Sequence, residues 1–245
     1  MQLGKMSKKT GVKMEKEKAE QAVDLLESAS EKYSGEIVMS SSFCAEDQVL
    51  TDMIVRNDIK VDIFTIDTGR LFPETYDLIA ETVKYYNKEI KVYFPEASEI
   101  ERMVNGNGVN LFLNSVNSRH LCCRIRKIEP LKRALTGRKA WISGIRSAQS
   151  EYRKKLGAEY FDDELQIVKI NPLFEWSEAD IWNYIEENKV PYNKLYDKGY
   201  KSIGCACCTR PLRDGEDVRA GRWWWEKDTK KECGLHFKDG KLKRV

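Results

Sequence analysis

Seven cysteines mark where chemistry could occur in this 245-residue chain. Cys122 and Cys123 are adjacent, Cys205 and Cys208 form a Cys-x-x-Cys pair, and Cys233 stands alone in Glu232-Cys233-Gly234-Leu235-His236. The first four are spaced to hold a metal centre, whereas Cys233 is a single thiol available as a nucleophile. Lys231, His236 and Lys238 surround it, and positive neighbours favour the thiolate, the form that attacks electrophiles. On a helix the side chains of Cys122 and Cys123 point about 100° apart. Both reach one small ion only with distortion, but an iron–sulfur cube accepts thiolates from two directions. Spacing alone leaves a zinc ion on four thiolates, an iron–sulfur cluster and a metal-free site all open. Cys207, between the paired ligands, reads as a small buried residue. His120 and His236 are the only histidines and lie far apart, which argues against a His-based metal site or triad.

Three further segments suit an anionic ligand. Ser40-Ser41-Ser42-Phe43-Cys44-Ala45-Glu46-Asp47 follows a strand and opens a helix, where main-chain amides and hydroxyls can hold an anion. It is neither a Walker loop nor a dinucleotide fingerprint, and a plain Ser-rich cap explains it as well. Asp67-Thr68-Gly69-Arg70 and Ser143-Gly144-Ile145-Arg146 also follow strands; Gly144 permits close approach and Arg146 could bind phosphate or sulfate. Arg219-Ala220-Gly221-Arg222-Trp223-Trp224-Trp225 joins two cations to an aromatic run. The tryptophans read as a hydrophobic plug, and the arginines, which have no apolar duty, as groups closing over an anion.

The elements that must position these residues follow from apolar periodicity. Helices are expected over 14–33, from 47 to 56, over 73–86 with Pro73 at the start, and over 177–188 capped by Ser177. Strands are expected at 36–40, 61–67, 90–94, 140–143 and 166–170. Alternation of this kind predicts an α/β fold with a doubly wound, mostly parallel sheet and ligands outside the strand C-termini. The domain reading is 1–208 for the nucleotide-binding α/β domain with the metal centre. Residues 209–245 form an irregular C-terminal flap with the reactive cysteine.

Composition narrows the classes. A net charge of +3 is too small to argue for nucleic acid, which counts against a zinc-ribbon module with a basic tail. No stretch approaches the roughly 20 apolar residues of a membrane span. The lysine-rich N-terminus lacks the apolar segment of a secretory signal. An odd, uneven cysteine set suits a reducing compartment, so a cytoplasmic protein is expected.

The motifs SSFCAEDQVL, DTGRLFPETY, CCRIRKIEPLKRAL, SIGCACCTRP, RAGRWWWE and ECGLH together resemble the thioredoxin-dependent assimilatory adenylyl-sulfate (APS) reductases, relatives of the phosphoadenylyl-sulfate (PAPS) reductases, from about residue 37 to 237. The resemblance implies an adenine-nucleotide α-hydrolase-like fold and a [4Fe–4S] cluster on Cys122, Cys123, Cys205 and Cys208. It implies that Cys233 attacks the sulfur of adenylyl sulfate, expels AMP and leaves an S-sulfonate that thioredoxin or a similar dithiol releases as sulfite. It places Lys127, Arg219 and Arg222 on the reacting anion beside Cys233 and His236. Ser41, Ser42, Ile66, Gly144 and Arg153 fall around the nucleotide, joined by Arg146 from its loop, and Thr68 becomes a donor to a cluster thiolate. A homo-oligomer is the expected assembly. PAPS is the rival substrate; a tRNA-thiolating enzyme is disfavoured because this chain lacks the SGGKDS-like loop. Cys44 stands where the family usually has glycine, a change costing about 1–2 kcal/mol if that residue must be left-handed.

Overall fold

The computed structural model describes the backbone of residues 3–226, 237–238 and 241–242, and side chains from residue 16 to 226. Six strands form one sheet in the order β3-β2-β1-β4-β6-β5, with β1 at Ile37–Ser40, β2 at Asp62–Ile66, β3 at Ile90–Tyr93, β4 at Ala140–Ile142, β5 at Glu159–Asp162 and β6 at Ile167–Ile170. Their apolar residues read as short continuous runs because both sheet faces are covered: Ile37, Val38, Met39, Ala140 and Ile142 are all buried. β1 runs parallel to β4, with Ile37 opposite Ala140, and β4 runs parallel to β6. β5, which the sequence reading did not contain, adds antiparallel to β6. The strand order reverses between β1 and β4, and a doubly wound sheet binds ligands outside the strand ends at such a point.

The chain divides into two compact units: residues 1–63, 84–88 and 137–192, and residues 64–83, 89–136 and 193–245. The first holds α1 (Leu3–Lys32), α2 (Ala45–Arg56) and α7 (Glu178–Asn188) with β1, β4, β5 and β6. Ser177 caps α7 by accepting from the Asp180 amide, and Asp180 returns the bond to the Ser177 amide. α2 is buried almost throughout. Within it Asp52 accepts from Arg56, Tyr86 and Tyr184 at 2.7, 2.7 and 2.9 Å, so this interior carboxylate is fully engaged.

The second unit holds most of α3 (Pro73–Tyr86), then β3, α4 (Ala97–Asn107), α5 (Val116–Cys123) and α6 (Glu129–Leu135). Between α5 and α6 the backbone widens into a π-helical turn, Arg124–Ile128. Such turns are frequent at functional sites, and this one begins at the residue after Cys123. Residues 209–226 belong to the same unit. Thr209 pairs with Arg222, the Trp223 amide donates to the Cys208 carbonyl, and the Trp223 ring is fully buried. Trp225 packs on Phe112, while Trp224 is exposed, so the expected plug rests on Trp223 and Trp225. Further on, β7 (Phe237–Lys238) pairs with β8 (Lys241–Leu242).

Candidate active site

The first unit builds the loops that flank the switch point. After β1 the chain turns through Ser41 and Ser42 into Phe43, whose φ of +58° is left-handed. Cys44 has φ −75° and ψ 166°, an extended conformation open to any side chain, so the strain considered for Cys44 falls on its neighbour. The Phe43 ring is fully buried, which offsets the roughly 1–2 kcal/mol of a left-handed residue by about 2 kcal/mol of apolar burial. Its amide donates to Ser41 Oγ at 3.2 Å.

Asp47, in the first turn of α2, reaches back to the turn. Its Oδ2 accepts from both the amide and the hydroxyl of Ser42 at 2.6 Å, and the Gly144 amide is a further donor to the carboxylate. Burial pushes the Asp47 carboxyl up to about 6, against the lowering effect of Ser42 and Gly144. A carboxyl raised by folding stabilises the fold at pH below its unfolded value, and that contribution is lost as pH rises through about 6. The ionised form at neutral pH is therefore held at a cost to stability. Gly144 has no alternative: a Cβ there would lie 2.5 Å from Asp47 Oδ1 and 2.9 Å from Glu46 Cβ. Arg146, read from sequence as an anion ligand, is buried with Nε donating to Glu46 Oε1 at 2.8 Å and Nη1 to the Trp176 carbonyl at 3.2 Å. Gln149 also donates to Glu46, and Arg153 donates to Gln149.

The second unit builds the cysteine centre. Cys122, Cys123, Cys205, Cys207 and Cys208 line one cavity, so the tandem pair and the Cys-x-x-Cys pair are brought together. Cys207, expected as a small buried residue, is half-buried and lines the same cavity, its sulfur 3.8 Å from that of Cys208. The bond Cys208 gives to Cys207 raises the Cys208 thiol, as does burial, and lowers that of Cys207. Burial raises Cys122, with Arg126 opposing. Thr68 Oγ1 lies 3.3 Å from Cys205 Sγ, within hydrogen-bond reach, and accepts from the Arg70 amide at 3.2 Å. Arg126 Nη1 fixes the Thr68 carbonyl at 2.7 Å.

Lys127, half-buried on the π turn, and Arg222 also line this cavity. Arg222 donates to the Ile203 carbonyl and lies 4.8 Å over the Trp223 ring, beside Arg119 at 4.5 Å. Arg219 sits half-buried in the turn before it, its amide bonded to Asp217. Ile66 ends β2 in the second unit and is half-buried. Cys233 and His236 lie outside the described residues.

Buried donors surround the cysteines without protein acceptors: Arg119 Nη1, Arg126 Nε, Arg222 Nε and Trp223 Nε1. Buried N–H groups are seldom left so, and all four residues line the cysteine cavity. Among the described residues no three His, Cys, Asp or Glu side chains converge on a single-ion site.

Arg119, Arg126, Arg70 and Glu226 were not singled out in the sequence. Arg126 follows Cys122 by four positions, one helical turn, which was the available signal. Arg119 pairs with Glu226 over 107 positions, Nε to Oε1 at 2.5 Å and Nη2 to Oε2 at 3.1 Å, with both side chains buried. Glu226→Ala leaves the Arg119 charge uncompensated and is expected to destabilise the protein by about 3–5 kcal/mol. Denaturant unfolding of anaerobically purified protein, followed by tryptophan fluorescence, measures it; a loss below about 1 kcal/mol would exclude the pair as a clamp on residues 219–226.

Such a sheet, mostly parallel and with its order reversing between β1 and β4, defines an α/β fold, and solved structures share it. The structure superposes on phosphoadenylyl-sulfate reductase from Candida auris, solved as a phosphate complex, with TM-score 0.66 and 32% identity over 76% of this chain and 88% of that one. Candida glabrata FMN adenylyltransferase in complex with ATP shares the fold alone, at TM-score 0.59 and 19% identity over 84% of this chain and 68% of that one. Residues 36–211 match the phosphoadenosine phosphosulfate reductase domain, and the chain belongs to that family of oxidoreductases acting on sulfur. Curated relatives are named adenosine 5'-phosphosulfate reductase. The Allochromatium vinosum protein is 47% identical, covering 89% of this chain and 85% of its own, and the Burkholderia cepacia protein 44%, covering 90% and 88%.

Proposed function

We propose that this protein reduces adenylyl sulfate to sulfite and AMP in assimilatory sulfate reduction, with Cys233 as nucleophile and thioredoxin or a similar dithiol as reductant. The observation that carries the reading is the five-cysteine cavity ringed by orphaned cationic donors, in a chain whose relatives bear the APS reductase name. Cys233 Sγ attacks the sulfonate sulfur; the bond from that sulfur to the bridging oxygen breaks, and AMP leaves with the electron pair. The product on the enzyme is a cysteine S-sulfonate. A thiolate of the dithiol then attacks Cys233 Sγ, sulfite departs with the S–S electron pair, and the second thiol of the reductant resolves the mixed disulfide. Two electrons thus pass from the dithiol to the sulfonate.

A thiolate nearing a sulfonate meets negative oxygens, so cations must screen the approach and hold the departing phosphate. Lys127 and Arg222, at the cysteine cavity, are suited to this duty, and Arg219 in the adjoining turn is assigned to it by resemblance. Ser41, Gly144 and Arg153 would bind the nucleotide at the switch point, with the Ile66 main chain meeting adenine. Cys122, Cys123, Cys205 and Cys208 would hold a [4Fe–4S] cluster, with Thr68 donating to Cys205. Bound there, the cluster supplies a compact anionic centre that the surrounding arginines balance. The described cysteines are all free thiols, which suits the reducing cytoplasm.

The Candida auris relative is named phosphoadenylyl-sulfate reductase, and this supports the second reading, a PAPS or dual-specificity enzyme. Sulfite and AMP release from the two nucleotides, compared at one ionic strength, decides between them. We expect kcat/KM for adenylyl sulfate to exceed that for the 3′-phosphorylated form at least tenfold, about 1.4 kcal/mol of transition-state discrimination. Equal efficiencies would establish dual specificity, and absence of sulfite from either would refute the reductase reading.

A further inference from the structure

We propose that Asp47 is a positioning residue for nucleotide binding: its buried carboxylate ties the Ser42 turn to the Gly144 loop and withdraws the Ser42 donors from the ligand. The inference rests on the reading that adenylyl nucleotides bind at the β1/β4 switch point. It alters that reading at Ser42, to which resemblance gives direct substrate contact.

Ser42 has one amide hydrogen and one hydroxyl hydrogen, and both are directed to Asp47 Oδ2 at 2.6 Å. A hydroxyl that has given its hydrogen away offers a ligand only lone pairs, which repel a phosphate oxygen and suit an N–H or O–H donor instead. Ser41 differs. Its Oγ accepts from the Phe43 amide, so its own hydrogen stays available, and Ser41, not Ser42, is the hydroxyl donor of this turn for an anion.

The same carboxylate takes the Gly144 amide, and the missing Cβ of Gly144 gives Asp47 its room. Glu46 adds a parallel link, holding Arg146 and Gln149. Two adjacent acids thus clamp the loop after β1 to the loop after β4, where the fold binds its ligand. Asp47 is thus a buried carboxylate that accepts from the Ser42 amide and hydroxyl and the Gly144 amide, all of which belong to the two loops it joins.

The test uses Asp47→Asn in the full-length holoprotein. Asparagine keeps the volume but turns either an NH2 toward the Ser42 and Gly144 amides or one oxygen alone toward all three donors. AMP affinity by calorimetry is expected to fall at least about tenfold, with the thermal midpoint at pH 7.5 no lower than that of wild type and visible absorption unchanged. KM for adenylyl sulfate should rise while kcat at saturation holds within about twofold. Ser42→Ala is expected to weaken AMP binding by a similar factor and, combined with Asp47→Asn, to add little further, since both break one link. Ser41→Ala should add its full effect to either. Asp47→Asn binding AMP within twofold of wild type, additive losses for Asp47 and Ser42, or a thermal midpoint falling in step with affinity would each overturn the proposal. If wild type itself binds no AMP, the nucleotide reading fails instead, and the two failures are distinct.

Discussion

Cys233→Ser is expected to fold, retain its metal content and bind AMP as wild type does, yet to turn over adenylyl sulfate at least about 10³-fold more slowly, a loss of roughly 4 kcal/mol in the barrier. A hydroxyl at that position is almost wholly protonated at neutral pH and attacks sulfur poorly, whereas a thiol ionises far more readily and is the better nucleophile toward sulfur. The step is separable from turnover. Wild-type enzyme mixed with nucleotide and no dithiol should release one AMP per chain and gain about 80 Da, the mass of a sulfonate, on Cys233. Neither event should occur in Cys233→Ser. Recovery of the adduct on Cys44 or Cys207, or full activity of the variant, would end the assignment.

Serine at any one of Cys122, Cys123, Cys205 or Cys208 is expected to abolish iron binding, and Cys207→Ser to preserve it. Wild type purified without oxygen should carry about four iron and four acid-labile sulfides and absorb broadly near ~400 nm. The expectation for Cys207 is the sharper of the two, because its sulfur lines the same cavity and lies beside that of Cys208. Geometry alone therefore makes it a competitor, and the ligand set is decided by which substitutions bleach the protein. A colourless protein with stoichiometric zinc would replace the cluster by a single ion. Bleaching by Cys207→Ser with colour kept in Cys208→Ser would move the ligand by one position.

The alternation of strand and helix was legible because parallel strands covered on both faces appear as short apolar runs followed by amphipathic turns. β5 was not. Glu159-Tyr160-Phe161-Asp162 lies at a sheet edge with Phe161 exposed, and its pairing with β6 supplies order that no local apolar pattern announces. The π turn was equally silent, since a five-residue stretch is too short to separate that period from an α-helix. The cysteine grouping could be read from spacing, for thiols have few competing uses in such a pattern. Arg146 could not, because the Glu46 that engages it lies 100 positions earlier and a lone arginine beside a glycine looks like an anion ligand. Asp47 was overlooked for the converse reason. An acid inside a Ser-rich anion turn looks like an ordinary helix-start residue until its oxygens are seen on the turn's own donors.

The two compact units are interleaved along the chain, and this sets an order of events during synthesis. The last segment of the first unit ends at residue 192, and the Cys-x-x-Cys pair begins at Cys205. A nascent chain that has exposed Cys122 and Cys123 must wait for the whole β4–β6 region to emerge before the other two thiols exist. Every segment of the first unit is thus available to the ribosome-borne chain before all four of these cysteines have been made. Any group that these four thiols hold together is completed only after the whole first unit has been translated.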